Sequence, residues 1–344
     1  MAEIYKLENE IKNYAWGSAE MIPALLGKAN PDKEPWAELW MGIHPGGPSK
    51  TTVAGKAVLL SEITELPFLF KFLAAGKPLS IQAHPNLKQA AEGFERENKN
   101  CIPLSDPKRN YRDPNHKPEI ICALTDFTAM AGFRETAESI ELLSMVNGTE
   151  QLIAALKDGY RSFLSALFGM NESERKALND SVFRACESRA GNSLFNNLIS
   201  HCKELAESYP CDPGIISPLY LNVINLKPFE ALFLPAGILH AYIRGFAMEV
   251  MANSDSIYTW HYAQAIIDQQ SSAAGELTPA LPTVSLLAII WLAGVVLSGT
   301  YFAVLYIRHR RKFSTSLPLE NEFIAKLAAN THVKKAADSC AYLG

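Results

Sequence analysis

The chain has 344 residues, 48% of them hydrophobic, which is enough for one large core or two domains. A formal charge of −4 is too small to argue for or against a charged partner, but the lack of a basic stripe interleaved with aromatics argues against nucleic acid. The six cysteines include no Cys-x-x-Cys pair, and the chain is too long and too cysteine-poor for a disulfide scaffold, so they read as free thiols in a reducing compartment.

In chain order, the first ten residues mix acids with apolar groups and lack the apolar core of a signal peptide. Residues 1–134 read mostly as strands and loops. Trp16, Trp36 and Trp40 cluster early, Pro45-Gly-Gly-Pro48 is a turn, and His44 is expected to pack beside Trp40. Leu66-Pro-Phe-Leu-Phe-Lys-Phe-Leu73 fits a strand or a buried helix equally well by periodicity. In Leu79-Ser-Ile-Gln-Ala-His-Pro85, Gln82 and His84 are two apart, so a strand would point both to one face. Pro85 to Gly93 should begin a short helix.

From Glu135 to Tyr209 there is no proline, and Leu152, Ile153, Leu156, Phe163, Leu164, Leu167 and Phe168 recur at helical intervals. Thr149 and Asn171 suit N-caps, each followed by a glutamate. A helical insert of four or five helices is predicted over 135–209. Prolines 210 and 213 end it, and short strands resume at 220–226, 231–234, 240–243 and 246–251. Frequent turns between them, Arg244-Gly245 included, suggest an antiparallel sandwich or barrel. His240 and Tyr242 share one face there, and Glu249 lies opposite Phe246, Met248 and Val250. Residues 259–282 read as a linker rich in small polar groups. Val284–Ile307 then runs 24 residues without Asp, Glu, Lys or Arg, and Arg308-His-Arg-Arg-Lys312 follows. A helix of that length spans about 36 Å, so 283–308 reads as a single transmembrane helix with a basic stop, a buried core helix being the alternative. A charged tail, 309–344, completes the chain.

Gln82, His84, Glu119 and His240 offer an amide oxygen, a carboxylate and two imidazoles, a donor set that suits zinc, although spacing alone does not force them together. His116, His201, His261, His309 and His332 read as surface or loop histidines. Glu38 reads either as a pocket wall or as a buried hydrogen-bond partner.

Asn13-Tyr-Ala-Trp-Gly-Ser18, Trp36-Ala-Glu-Leu-Trp-Met-Gly-Ile-His-Pro45, Leu79-Ser-Ile-Gln-Ala-His-Pro85, Asn115-His-Lys-Pro-Glu119 and Pro235-Ala-Gly-Ile-Leu-His-Ala-Tyr242 together resemble type I mannose-6-phosphate isomerase, in order, from about residue 3 to Asp255. The resemblance implies a cupin-type antiparallel β-barrel, built from 1–134 and 210–258, with an inserted helical domain. It implies one zinc ion, held by Gln82, His84, Glu119 and His240, and interconversion of mannose 6-phosphate and fructose 6-phosphate on the way to GDP-mannose. It further implies a cytoplasmic monomer whose partner is a small sugar phosphate. Tyr242, Trp16 and Ser80 are taken as substrate-binding, and Glu249 and Lys117 as catalytic. Such isomerisation moves a proton between C1 and C2 through an enediol, so it needs a Lewis acid for the developing charge and a base near neutral pKa.

The chain departs from the family after Asp255. The family continues to an arginine treated as catalytic, then to a Gly-Leu-Thr-Pro-Lys turn and a second cupin domain. Here Ser-Ile-Tyr-Thr-Trp-His-Tyr262 follows instead, and neither the arginine nor the lysine has a counterpart. Losing such a charge-stabilising donor costs about 3–4 kcal/mol of transition-state stabilisation. A second expectation therefore stands beside the isomerase: a catalytically impaired, membrane-tethered cupin that binds zinc or a sugar phosphate, with 284–307 as its tether.

Overall fold

The computed structural model describes residues 4–106, 109–188 and 192–254 and the strand at 258–259. The elements in chain order are β1 (Glu10–Lys12), α1 (Met21–Leu26), β2 (Glu38–Met41), β3 (Lys50–Val53), β4 (Lys56–Leu59), β5 (Phe68–Ala75), β6 (Gln82–Ala83), α2 (Leu87–Lys99), β7 (Glu119–Ala123) and β8 (Phe127–Phe133). Five helices follow: α3 (Thr136–Ser144), α4 (Glu150–Lys157), α5 (Tyr160–Gly169), α6 (Glu172–Ser188) and α7 (Ser193–Ser208). The chain then returns to strands, β9 (Leu221–Leu226), β10 (Ala231–Leu234), β11 (His240–Ala252) and β12 (Tyr258–Thr259).

All the strand pairings are antiparallel, and β11 organises them. Its C-terminal part pairs β5 on one side and β7 on the other, continuing to β2 and β1 at one edge and to β10 at the other. Its N-terminal part pairs β6 and β8, continuing to β12 and β9. The long strand thus passes from one layer of a sandwich into the other. The expected barrel is corrected here: among the described residues the sheet does not close on itself, because β1, β10, β9 and β12 each keep one unpaired edge.

The expected turn at Arg244-Gly245 is also corrected. Strands predicted at 240–243 and 246–251 are one continuous strand with a β-bulge, since Tyr242 faces Ala129 while Arg244 already faces Thr128. Ile243 is the extra residue. Gly245 has φ +125°, and a Cβ there would sit 2.6 Å from Phe127 Cδ2, so the bend requires glycine. The ambiguous apolar run resolves into a strand, β5, because β2 and β11 flank it and satisfy its backbone.

The inter-layer core contains Leu73, Ile121, Phe127, Leu234, Tyr242 and Ala247. The five helices stand between β8 and β9 in sequence and share a core with the second layer. Leu143, Leu156, Phe163, Leu167, Val182 and Phe195 belong to the same buried cluster as Ile81, Met130, Leu221 and Ile243. Tyr160 fastens α5 to the end of β8, its hydroxyl donating to the Arg134 carbonyl at 2.7 Å. Asn171 and Glu174 cap α6 reciprocally, at 3.0 and 2.7 Å. Thr149 does not cap α4 through its side chain; its hydroxyl donates backwards to the Leu143 and Val146 carbonyls instead. Helix α2 is thirteen residues long rather than short, with Asn86 and Gln89 forming its capping box.

The five described cysteines are free thiols. Among the described residues no helix is long and apolar enough to cross a membrane. The linker, the apolar run at 284–307 and the charged tail lie outside the described residues.

Candidate metal centre and its cavity

Three strands deliver three buried donors to one point. Glu119 opens β7, His240 opens β11, and His84 lies just past β6; one ligand atom from each falls within 4.8 Å of the others. Glu119 Oε1 is 3.2 Å from His84 Nε2, and Glu119 Oε2 is 3.2 Å from His240 Nε2. Gln82 is the cross-strand partner of His240, which puts the fourth expected donor beside the triad. Backbone bonds hold the presenting segments: the Leu79 amide donates to the Tyr242 carbonyl and the Gly237 amide to the His84 carbonyl, each at 2.8 Å.

The protonation pattern fits a cation. His240 Nδ1 lies 2.9 Å from the Ile238 carbonyl, which only accepts, so Nδ1 carries the ring proton. With that proton in place, Nε2 would turn its lone pair toward Glu119 Oε2, 3.2 Å away, and a cation between the two would be held by both. Burial, helped by the nearby Lys117 ammonium, pushes His84 down to about 4, so its ring is neutral at pH 7. Burial by itself would raise Glu119, but the positive groups around it, the Lys117 ammonium at 3.2 Å among them, hold it well below the usual carboxylate range. Two imidazoles and a carboxylate make a donor set that suits zinc.

The triad borders a cavity of about 340 Å³, within the range of small-ligand sites. Trp16, Ser80, Gln82, Lys117, Glu119, His240, Tyr242 and Glu249 all line it. Of the expected site residues only His84 is absent from the wall, being buried against Glu119. The bulge explains how Glu249 comes to share this wall. Straight alternation would send it to the face opposite Tyr242, but one inserted residue reverses the facing, and Tyr242 Oη donates to Glu249 Oε1 at 2.8 Å.

The sequence reading missed Lys71. It sits directly across from Glu249 in the β5–β11 ladder, its Nζ 2.6 Å from Glu249 Oε2 and 2.9 Å from Glu38 Oε1. Trp40 Nε1 donates to the other Glu38 oxygen at 2.7 Å, so Glu38 is both pocket wall and buried partner. Burial alone would lower the Lys71 pKa, but Glu249, Glu38 and Glu119 raise it, and the ammonium stays charged. Burial raises Glu249, against the pull of Lys71, and also drives Tyr242 well above its ordinary range. The signal available in sequence was a single lysine inside the apolar run that became β5, a charge that must find partners once buried. Arg112 was missed as well and also lines the cavity.

The tryptophans divide. Trp16 and Trp40 line the cavity, while Trp36 packs with Ile22, Leu39 and Phe246. His44 packs edge-on against Trp40, ring centres 4.9 Å apart, as expected. His116 is exposed as expected, but His201, expected at the surface, is buried on α7 with Nδ1 3.5 Å from Glu204 Oε2.

An antiparallel sandwich thus presents a buried His–Glu–His set that could hold a metal ion beneath a charged cavity, the arrangement of a metal-dependent enzyme site. The chain belongs to the type I phosphomannose isomerase family. The family model "Phosphomannose isomerase type I, catalytic domain" matches residues 4–136. The mannose-6-phosphate isomerase of Salmonella typhimurium is 44% identical over 274 residues, covering 73% of this chain and 69% of that protein. Its Escherichia coli counterpart is 40% identical over 306 residues, covering 82% and 77%. Among solved structures, the Salmonella typhimurium enzyme bound to fructose 6-phosphate and zinc superposes with a TM-score of 0.69 at 38% identity, covering 78% of this chain and 74% of that one.

Proposed function

We propose that this protein is a zinc-dependent aldose–ketose isomerase that interconverts mannose 6-phosphate and fructose 6-phosphate. The observation that carries the reading is the buried convergence of His84, Glu119 and His240 at one corner of a cavity lined by acid, amine and phenol groups. The relatives' shared activity and the zinc and fructose 6-phosphate in a related structure support it.

Gln82, His84, Glu119 and His240 would hold the ion, and a bound zinc would polarise the sugar oxygens that gain charge in an enediol. The chain's own groups supply the rest. Glu249 carries the proton between C1 and C2, since it is the buried carboxyl on the cavity wall whose pKa burial raises above the ordinary carboxylate value. Tyr242 and Lys71 bond its two oxygens and fix its orientation. Lys117, 3.2 Å from Glu119, balances that carboxylate and reaches the sugar hydroxyls. Trp16 and Ser80 bear on the substrate from the wall. In this reading residues 1–134 and 210–258 form the catalytic unit, 135–209 are its helical insert, and the enzyme works as a monomer. The free thiols suit the cytoplasm.

The impaired, membrane-tethered reading keeps one observation in its favour: no arginine follows Asp255 where the family has one. Turnover of mannose 6-phosphate by the full chain, measured after chelation and again after zinc is restored, separates the two. Turnover that chelation abolishes and zinc restores establishes the isomerase; stoichiometric zinc without turnover establishes the impaired form.

A further inference from the structure

We propose that Arg112 receives the phosphate of the substrate; this rests on the isomerase reading and assigns the charged end of the same cavity. The substrate phosphate carries close to two negative charges and needs cationic or N–H donors. Among the described residues three cations line the cavity, and two are already committed. Lys71 is held by Glu38 and Glu249, and Lys117 by Glu119. Among the described residues Arg112 has no carboxylate partner, and its side chain is exposed at the cavity wall.

The backbone around it is fixed on both sides. The Tyr111 amide donates to buried Glu97 at 2.9 Å, and buried Arg109 donates to the Tyr111 carbonyl at 2.8 Å. On the other side, buried Ser254 donates to Asp113 Oδ2 at 3.1 Å and to the Asn115 carbonyl at 3.3 Å. An exposed, unpaired guanidinium between two anchored neighbours is positioned for a ligand rather than for the fold. Its planar fork matches two phosphate oxygens, which an ammonium cannot do.

The charges also balance. Among the described lining residues Glu38, Glu119 and Glu249 offset Lys71, Lys117 and Arg112, so a divalent ion would leave their sum at plus two, matching a phosphate dianion. The buried triad suits the carbonyl end of the sugar, and the exposed Arg112 suits the end whose charge stays partly hydrated.

The test combines two measurements on the zinc-loaded full chain and its Arg112→Ala and Arg112→Lys variants. Inorganic phosphate is titrated calorimetrically, and KM and kcat are measured for mannose 6-phosphate. Arg112→Ala should weaken phosphate binding and raise KM by about 30-fold, the worth of one charge-assisted contact, with the larger effect on KM. Arg112→Lys should recover part of both, and the urea midpoint should stay at the wild-type value. Equal phosphate affinity in wild type and Arg112→Ala, or no phosphate binding by the wild type, overturns the assignment. If the wild type turns over no substrate, the isomerase reading falls, and the phosphate titration still decides Arg112: affinity that depends on it supports the assignment, and affinity that does not refutes it.

Discussion

Replacing Lys71 with methionine should destabilise the protein in a pH-dependent way. The Nζ atom lies 2.6 Å from one buried carboxylate and 2.9 Å from another. At an effective dielectric of about 20, each contact is worth roughly 6 kcal/mol before the ammonium's own desolvation is deducted. Breaking a buried pair by removing one partner typically costs about 3–5 kcal/mol, a large share of the roughly 5–15 kcal/mol that holds a domain folded. Without Lys71, Glu249 loses its attractive charge, so a carboxyl already raised by burial rises further. Such a carboxyl binds its proton more tightly folded than unfolded, so the destabilisation is full above the folded pKa and shrinks as pH falls through it. Urea unfolding at pH 8 and pH 5 measures both effects, and adding Glu249→Gln should restore about half of the loss. A loss under about 1 kcal/mol, or one equal at both pH values, would refute the assignment of Lys71 as the charge that makes this wall tenable.

Two further outcomes follow from the geometry. The metal-free protein should lose about 3 kcal/mol as pH falls from about 6.5 to 4, because His84 is held down to about 4 by burial and must charge on unfolding; chelated samples unfolded in urea across that range would show a flat profile if the ring were protonated in the fold. Gly93→Ala would place a Cβ 2.2 Å from Tyr111 Cε1, inside van der Waals contact. Overpacking of this kind costs about 1–3 kcal/mol, and since Tyr111 adjoins Arg112, KM should rise with the fall in thermal midpoint; an unchanged KM would separate the ring from the cavity.

Much of the site was legible because its donors sit in short, chemically distinctive motifs. Gln82 and His84 declare themselves by alternation, and the neighbouring prolines and glycines mark where strands end. The helical stretch was legible from its missing prolines and the spacing of Leu152, Leu156, Phe163 and Leu167. Lys71 was not, because a lone lysine in an apolar run gains meaning only when Glu38 and Glu249, distant in sequence, become its cross-strand neighbours. The continuity of β11 was hidden for a related reason: Arg244-Gly245 reads locally as a turn, and the extra residue at Ile243 takes shape only through pairing with β8. Closure failed similarly, since whether two edges meet depends on tilt and twist across the whole sheet, which no stretch of sequence carries.

Glu249 and His240 belong to the same uninterrupted strand, hydrogen-bonded on both flanks for most of its length. No hinge separates the two ends of the catalytic apparatus, so they cannot drift apart as a substrate arrives. Accommodation must fall instead on side chains at the perimeter, Trp16 and Arg112 among them, rather than on the strand that carries the reactive groups. The spacing of the reactive groups is thus set once, at folding, while fit to the sugar is left to parts that can vary without disturbing it.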